Sequence, residues 1–359
     1  MKSSVKTVFI SLTTAVAIIA ASPAYSDQSN VAKVDQNQII TPEQYFQKMV
    51  EAVKTINYKG ILVFNSIAPG DGSISALEII GKNSEQKEVK ISSIDGKPVS
   101  IYRKNNRVKE LLGGKKQVEK IINNPFENFC ARTLDQQRLT ENYQIIIKKD
   151  SITAGRDVKV ILLKPKSEQV YGYSFYIDKE TYMPLKMDYI SINGSSINSY
   201  MFVDIDYPHN LGEQDMVIKK QGKIVVPESD KAQNQAKPQM AEAKKKMSAL
   251  PKIEKKNGNV NWYVGYLPNG FTMIDHQIQK IRKNQNNVEH FVFSDGIALI
   301  SVYIENVPEK QIFRGSSIKG AMSAFGTVKN NHQVVVVGKV PISTLEKVGN
   351  SVQQGMPKQ

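Results

Sequence analysis

The chain has 359 residues, 48 Lys and Arg against 34 Asp and Glu, a formal charge of +14 and a single cysteine. That length is more than one ordinary core needs and fits two domains. One cysteine, Cys130, excludes an intrachain disulfide, so stability must come from burial, and the positive balance suits an anionic partner or a membrane surface more than nucleic acid. The lysines are spread along the chain, so a merely solubilising surface explains the charge equally well.

Residues 1–26 read as a secretory signal peptide. Lys2 and Lys6 give a positive start, Val8 to Ala21 is uncharged and largely apolar, and Ala24-Tyr25-Ser26 offers small residues for cleavage. The apolar run is short for a membrane span. The mature chain is expected to begin near Asp27, outside the cytoplasm, with 27–40 polar and loose.

A helix is announced by Thr41 as N-cap, Pro42 at the first helical position and Gln44 three residues after the cap. Phe46, Met49, Val50, Val53 and Ile56 supply its apolar face. From Tyr58 the period changes to two, and strands are expected at 61–64, 75–80, 88–94 and 99–103, with Pro69-Gly70-Asp71-Gly72 and Asp95-Gly96 as turns. Residues 104–140 read as a long loop or a short helix near Pro125. Strands resume at 143–147 and 158–163 around an Ala154-Gly155 turn, then at 171–177 and 185–189, with Asn193-Gly194 as a hairpin turn. Met201, Val203, Ile205 and Tyr207 are expected to form the apolar face of the last strand. So many successive antiparallel strands imply one curved sheet or a partly closed barrel.

Residues 227–256 hold eight Lys and no aromatic residue, the composition of a basic linker. The domains expected are therefore 41–226 and 258–359, joined by 227–257. The second opens at Trp262 and reads as α+β, with strands at 273–281, 288–294, 298–305 and 334–337. A final helix follows Pro341, with Ser343 as N-cap and Glu346 as its capping-box partner.

Catalytic patterns are missing. There is no Gly-x-Ser-x-Gly elbow, no phosphate-cradling glycine loop and no cysteine pair for a metal. Asp204, Asp206 and His209 suggest a metal cluster only until alternation puts both aspartates on the outer face of a strand. No enzymatic role, cofactor or metal is expected. What remains is a large supply of apolar side chains on one sheet face, which must be filled by the protein or by a ligand. Phe46, Met49, Phe64, Ile79, Ile101, Phe175, Leu185 and Met187 are the candidates for that lining. Pattern alone favours a self-filled core, since packed interiors are the rule.

Several motifs carry a family resemblance: Asn57-Tyr58-Lys59-Gly60, Ser93-Ile94-Asp95-Gly96-Lys97-Pro98, and Tyr171-Gly172-Tyr173 followed by Asp178, Thr181 and Pro184-Leu185-Lys186. In the second half Trp262, Gly265, Leu267-Pro268 and Gly270-Phe271 are followed by Val288-Glu289-His290, Ser294-Asp295-Gly296 and the run from Val335 to Pro341. In order and spacing the chain resembles the RseB/MucB family of periplasmic regulators of the envelope-stress sigma factor. The resemblance implies an α+β protein: a half-open antiparallel barrel like the lipoprotein carriers LolA and LolB, covered by helices around an apolar cavity, then a smaller α+β domain. It implies binding to the periplasmic domain of an anti-sigma factor (of the RseA/MucA type), which is shielded from its protease until lipid or lipopolysaccharide releases it. A basic rim would meet lipid phosphates at Lys97, Arg103, Lys104 and Arg107, and His290, Phe291, Phe293 and Tyr303 are the candidates for partner contact. A plain periplasmic lipid or lipoprotein carrier is the rival reading, and homo-oligomerisation is left open.

Overall fold

The computed structural model describes residues 40–66, 73–83, 86–94, 98–105, 107–112, 125–132, 136–220, 223–225, 262–280, 287–307 and 312–355. The segment expected as a signal peptide, the turns expected at Pro69–Gly72 and Asp95–Gly96, Lys97 and the lysine-rich segment lie outside the described residues.

Helix α1 spans Pro42–Thr55 and begins as its sequence requires. Gln44 N–H donates to Thr41 Oγ1 at 3.2 Å, and Thr41 N–H donates back to Gln44 Oε1 at 2.9 Å, so two of the N–H groups left over at a helix start are satisfied. Its buried face is Phe46, Met49, Ala52 and Val53.

Eleven strands then form one antiparallel sheet. β1 (Tyr58–Ser66), β2 (Ser73–Lys82), β3 (Glu88–Ser93), β4 (Ser100–Lys104) and β5 (Arg107–Leu112) step outward as a meander. The chain next makes α2 (Pro125–Arg132) and α3 (Gln136–Asn142). β6 (Tyr143–Ile147), β7 (Ser151–Thr153), β8 (Arg156–Pro165), β9 (Gly172–Asp178), β10 (Pro184–Ile190) and β11 (Ser196–Asp206) then step back until β11 pairs with β1. Ala154 and Gly155 both take positive φ at the β7–β8 turn, and Gly194 does so between β10 and β11.

Of the two readings of 104–140, the short helix near Pro125 is present as α2, and the edge strand β5 and the start of α3 are there besides. The polar, lysine-interrupted sequence hides β5 and α3 because an edge strand and a short covering helix need few apolar positions. The face expected for β11 is also corrected. Leu62 pairs with Phe202 but Ile61 pairs with Asp204, so Val203 is an extra residue opposite β1. This bulge moves the alternation by one. Phe202 and Ile205 point into the core while Val203 is 47% exposed.

A short helix α4 (Glu213–Met216) and the hairpin β12 (Ile218–Lys220) and β13 (Lys223–Val225) close this half. Leu211, Met216 and Ile218 pack with Ile80 and Tyr102, and the Lys90 ammonium donates to the Asp215 carbonyl at 2.6 Å.

The second half is built on a six-stranded antiparallel sheet of order β15-β16-β17-β20-β19-β18. Its strands are β15 (Thr272–Lys280), β16 (Asn287–Ser294), β17 (Leu299–Asn306), β18 (Gly315–Lys319), β19 (Met322–Lys329) and β20 (His332–Gly338), with a small pair of β14 (Trp262–Val264) and β21 (Val352–Gln354) beside it. β18 and β19 are not foreseen from sequence, and β18 is exposed at every position. Helix α5 (Ile342–Asn350) lies on one face and packs Gly349 against Phe325 and Val336. Its N-cap is Pro341, with no side-chain cap, so the expected capping box at Ser343 and Glu346 is not used; Ser343 lies inside the first turn and Glu346 accepts from the Ser316 hydroxyl at 2.6 Å.

Candidate functional site

The concave side of the large sheet is covered by α1 and α2, and aromatic rings meet there. Phe46 lies edge-on to Phe129 (6.1 Å between centroids) and to Phe175 (6.0 Å), and Phe126 stacks on Phe202 at 5.6 Å. Phe46, Met49, Ile79, Ile101, Phe175, Leu185 and Met187 are all within the buried core. Six of them, all but Ile101, belong to one packed cluster, as the pattern-only reading has it. Phe64 differs. It is half-buried near the end of β1 and stacks on Tyr200 at 4.7 Å.

The basic candidates separate in the same way. Arg103 reaches Glu127 of α2 at 3.6 Å, where Lys87 also lies at 3.6 Å and the Tyr58 hydroxyl donates at 3.0 Å. That arginine ties a covering helix to the sheet. Lys104 and Arg107 face each other across the β4–β5 turn, with Arg107 exposed. Cys130 of α2 is buried, and burial pushes its thiol up to about 12, leaving it inert.

In the second sheet the alternation divides the four partner candidates. Phe291 and Phe293 share the buried face with Val302 and Ile300. His290 and Tyr303 are paired on the other face, half-buried, with rings stacked at 4.2 Å. Burial holds the His290 imidazole below its ordinary pKa, and its Nε2 is buried without a hydrogen-bond partner. His276 stacks on Phe291 at 4.2 Å and meets Glu289 at 2.9 Å.

The two halves meet along a seam that sequence reasoning missed. Its first-half residues come from α3, which leads into β6, and from one end of the sheet, where β6, β9 and β11 start and β8 and β10 finish. At one side the Tyr143 hydroxyl donates to Asp295 Oδ2 at 2.8 Å, Asn142 donates to the Asp295 carbonyl at 2.9 Å, and Arg138 donates to Thr272. Asp295 Oδ1 also accepts from the N–H groups of Ile297 and Ala298. Gly270, at φ +81°, leaves room for Asn142: a Cβ there would fall 2.1 Å from the Asn142 oxygen. In the middle Gln169 meets Tyr266, accepts from Asn269 N–H at 3.1 Å, and offers its carbonyl to Thr344 at 2.9 Å. A cleft of about 390 Å³ opens here between Gln169, Asn269, Ser343 and Lys347.

At the far side Asn198 Oδ1 accepts from Ala321 N–H at 3.0 Å, beside Gly320, where a Cβ would stand 2.3 Å from that oxygen. Lys339 completes this side. Its ammonium lies 4.9 Å from the Tyr189 ring centre, 5.9 Å from that of Tyr200 and 3.2 Å from the Tyr189 hydroxyl. Phe64 therefore borders the seam through Tyr200. The hint available in sequence was Asp295-Gly296 and the Val335–Pro341 run, both of them motif residues with no chemistry of their own.

Comparison with known proteins agrees with this two-part construction. The family model for the MucB/RseB N-terminal domain matches residues 41–221, and that for the MucB/RseB C-terminal domain matches 256–353. The chain belongs to the MucB/RseB family. Its relatives in that family include the sigma-E factor regulatory protein RseB of Haemophilus influenzae, 22% identical over 328 residues, spanning 90% of this chain and 94% of that one. The sigma factor AlgU regulatory protein MucB of Pseudomonas aeruginosa is 23% identical over 332 residues, spanning 89% and 93%. Among solved structures, the crystal structure of MucB in complex with MucA(peri) shares the fold at a TM-score of 0.65 and 19% identity, covering 88% of this chain and 100% of that one. The α+β class is as expected, with a large curved antiparallel sheet under helices and a smaller sheet beside it.

Proposed function

We propose that this MucB/RseB-family chain is an exported regulatory binding protein, not an enzyme, which holds the periplasmic part of an anti-sigma factor, shields it from regulated proteolysis and so keeps its sigma factor inactive. The observation that carries this reading is the match of both family models along one chain whose relatives are named as sigma-factor regulators. The relative solved with MucA(peri) supports an anti-sigma fragment as the partner. A plain lipid carrier has no use for the second domain, which supplies more than a quarter of the chain. The signal-peptide pattern of residues 1–26 supports the periplasm as its location.

Release by lipid follows if the free form binds lipid better than the complex does, because each ligand then weakens the other by the same factor. The packed concave side sets a condition on this. An acyl chain can enter only by displacing rings such as Phe129, so its margin, where Phe64 is half-buried, is the point of entry most consistent with the packing.

The test is direct binding of the full mature chain to the periplasmic fragment of an anti-sigma factor from the same cell, measured with and without lipopolysaccharide. Binding that weakens several-fold with lipopolysaccharide supports the whole reading. Binding that ignores it leaves a static shield. Failure to bind the fragment, with recovery of lipoproteins instead, would return the chain to the carrier class.

A further inference from the structure

The three sides of the seam differ in kind. Asp295 is buried, with both carboxylate oxygens and its carbonyl in use, and parting the halves there breaks its bonds from Tyr143 and Asn142 together with that from Arg138 to Thr272. Gln169 and Asn198 hold backbone groups, Asn198 and Ala321 both being buried. Lys339 is unlike these. It is half-buried, and among the described residues no carboxylate lies within ion-pair distance of it; the rings and hydroxyls of two tyrosines, Tyr189 and Tyr200, are its partners. A lysine can leave such a place for water without stranding a buried charge, and an anion would hold it more strongly than a phenol ring does.

Its position also matters. Lys339 directly follows β20 and precedes Pro341, the cap of α5. Val335 of β20 lies opposite Tyr303, which lies opposite His290. A pull on Lys339 therefore acts on the strand that supports the half-open face of the second sheet. On the other side of the contact, Tyr200 carries the half-buried ring of Phe64.

We propose that Lys339 is a releasable catch between the two halves: closed on Tyr189 and Tyr200, and drawn off them by an anionic group on an apolar chain arriving past Phe64, while Asp295 and Tyr143 remain as the pivot. This rests on the proposed lipid response and gives it a trigger residue. A lipid headgroup and free phosphate present the same anion to the ammonium, and the chemistry of the catch is the same for both.

The experiment uses the full mature chain labelled at K164C and S317C, two exposed positions on the two halves, with the native Cys130 buried. The inter-label distance is read by energy transfer during titration with dodecyl phosphate below its micelle concentration, with inorganic phosphate, and with a neutral dodecyl maltoside. Dodecyl phosphate should lengthen the distance in the wild-type chain; a response to inorganic phosphate alone assigns the effect to the free anion. K339M, which keeps the apolar stem, should respond at least fivefold less, and K339R should respond like the wild type. An equal response in K339M, a response to the neutral detergent of the same size, or no response of the wild type to either phosphate overturns the catch. Anti-sigma fragment binding measured on the same samples separates the two ideas: its loss would sink the proposed function, whereas intact binding with an inert Lys339 sinks only the catch.

Discussion

The phenol of Tyr143 donates to the carboxylate of Asp295 across 2.8 Å, and both groups are buried where the two halves of the chain meet. A hydrogen bond to a charged acceptor is worth more than a neutral one, and removing its donor leaves the acceptor buried and short of a partner. Tyr143→Phe keeps the ring and deletes only the hydroxyl. It should cost about 1–3 kcal/mol of stability, read from urea unfolding. A change below a few tenths would mean that the seam is wet and the pair unimportant.

The same carboxylate makes stability depend on pH with a known sign. Burial pushes the Asp295 carboxyl above its ordinary value of 3.8, against hydrogen bonds from Ile297, Tyr143 and Ala298 that favour the charged form. A group whose folded pKa is raised binds its proton more tightly when folded, so its charge is a burden above that pKa and the burden is lifted as pH falls through it. Asp178 has the opposite sign. Its burial alone would raise the carboxyl, but the Glu180 N–H and Arg156 outweigh it and hold it below 3.8; its contribution is present above the ordinary value and lost as pH falls through the lowered one. Asp295→Asn should therefore remove a stability increment that grows on mild acidification, while Arg156→Met should cost about 1.5–3 kcal/mol at neutral pH and progressively less in acid. Denaturant midpoints from pH 7 to pH 3 check both slopes, and an Asp295→Asn profile parallel to the wild type would refute the first.

Much of this fold can be read from residues in order. Thr41, Pro42 and Gln44 announce α1 because a helix start is chemistry between near neighbours, and Asn193-Gly194 does the same for the β10–β11 turn. The errors come where a tertiary contact decides. The bulge at Val203 is set by pairing with β1, some 140 positions away, and no local pattern signals it. The seam is of that kind throughout. Nothing local in sequence marks Tyr143, Gln169, Asn198 and Lys339 for this seam, and only the meeting of the two halves gives each its partner across it. Apolar lining and apolar core also look alike in sequence, since both call for Phe, Met and Ile at alternate positions.

Phe175 and Phe64 should therefore answer differently to truncation. Phe175 is fully buried against Phe46 and Phe129, so Phe175→Ala opens a cavity and should cost about 3–5 kcal/mol whatever the protein binds. Phe64 stands at the margin on Tyr200, and Phe64→Ala should cost about 1 kcal/mol while reducing the response to lipid. Thermal unfolding and lipopolysaccharide titration of the two variants separate them. Equal lipid responses in wild type and Phe64→Ala would remove that margin as a point of entry.

The four partner candidates divide along the faces of the second sheet, and their variants should divide with them. Phe291 and Phe293 pack among Ile300 and Val302, so Phe291→Ala should lower stability by about 3–5 kcal/mol and weaken partner binding only in proportion to the unfolded fraction. His290 and Tyr303 stack on the open side, and neither anchors the core. Tyr303→Ala should leave the unfolding midpoint within about 1 kcal/mol of the wild type, yet weaken binding of the anti-sigma fragment at least tenfold, the size of loss seen when an aromatic anchor is cut from the centre of an interface. Calorimetric titration at a pH where the chain is fully folded makes the comparison clean. Unchanged affinity in both Tyr303→Ala and His290→Ala would move the partner off this face, and the exposed edge of β15, with Ile274 and Ile278, would be the next surface to mutate.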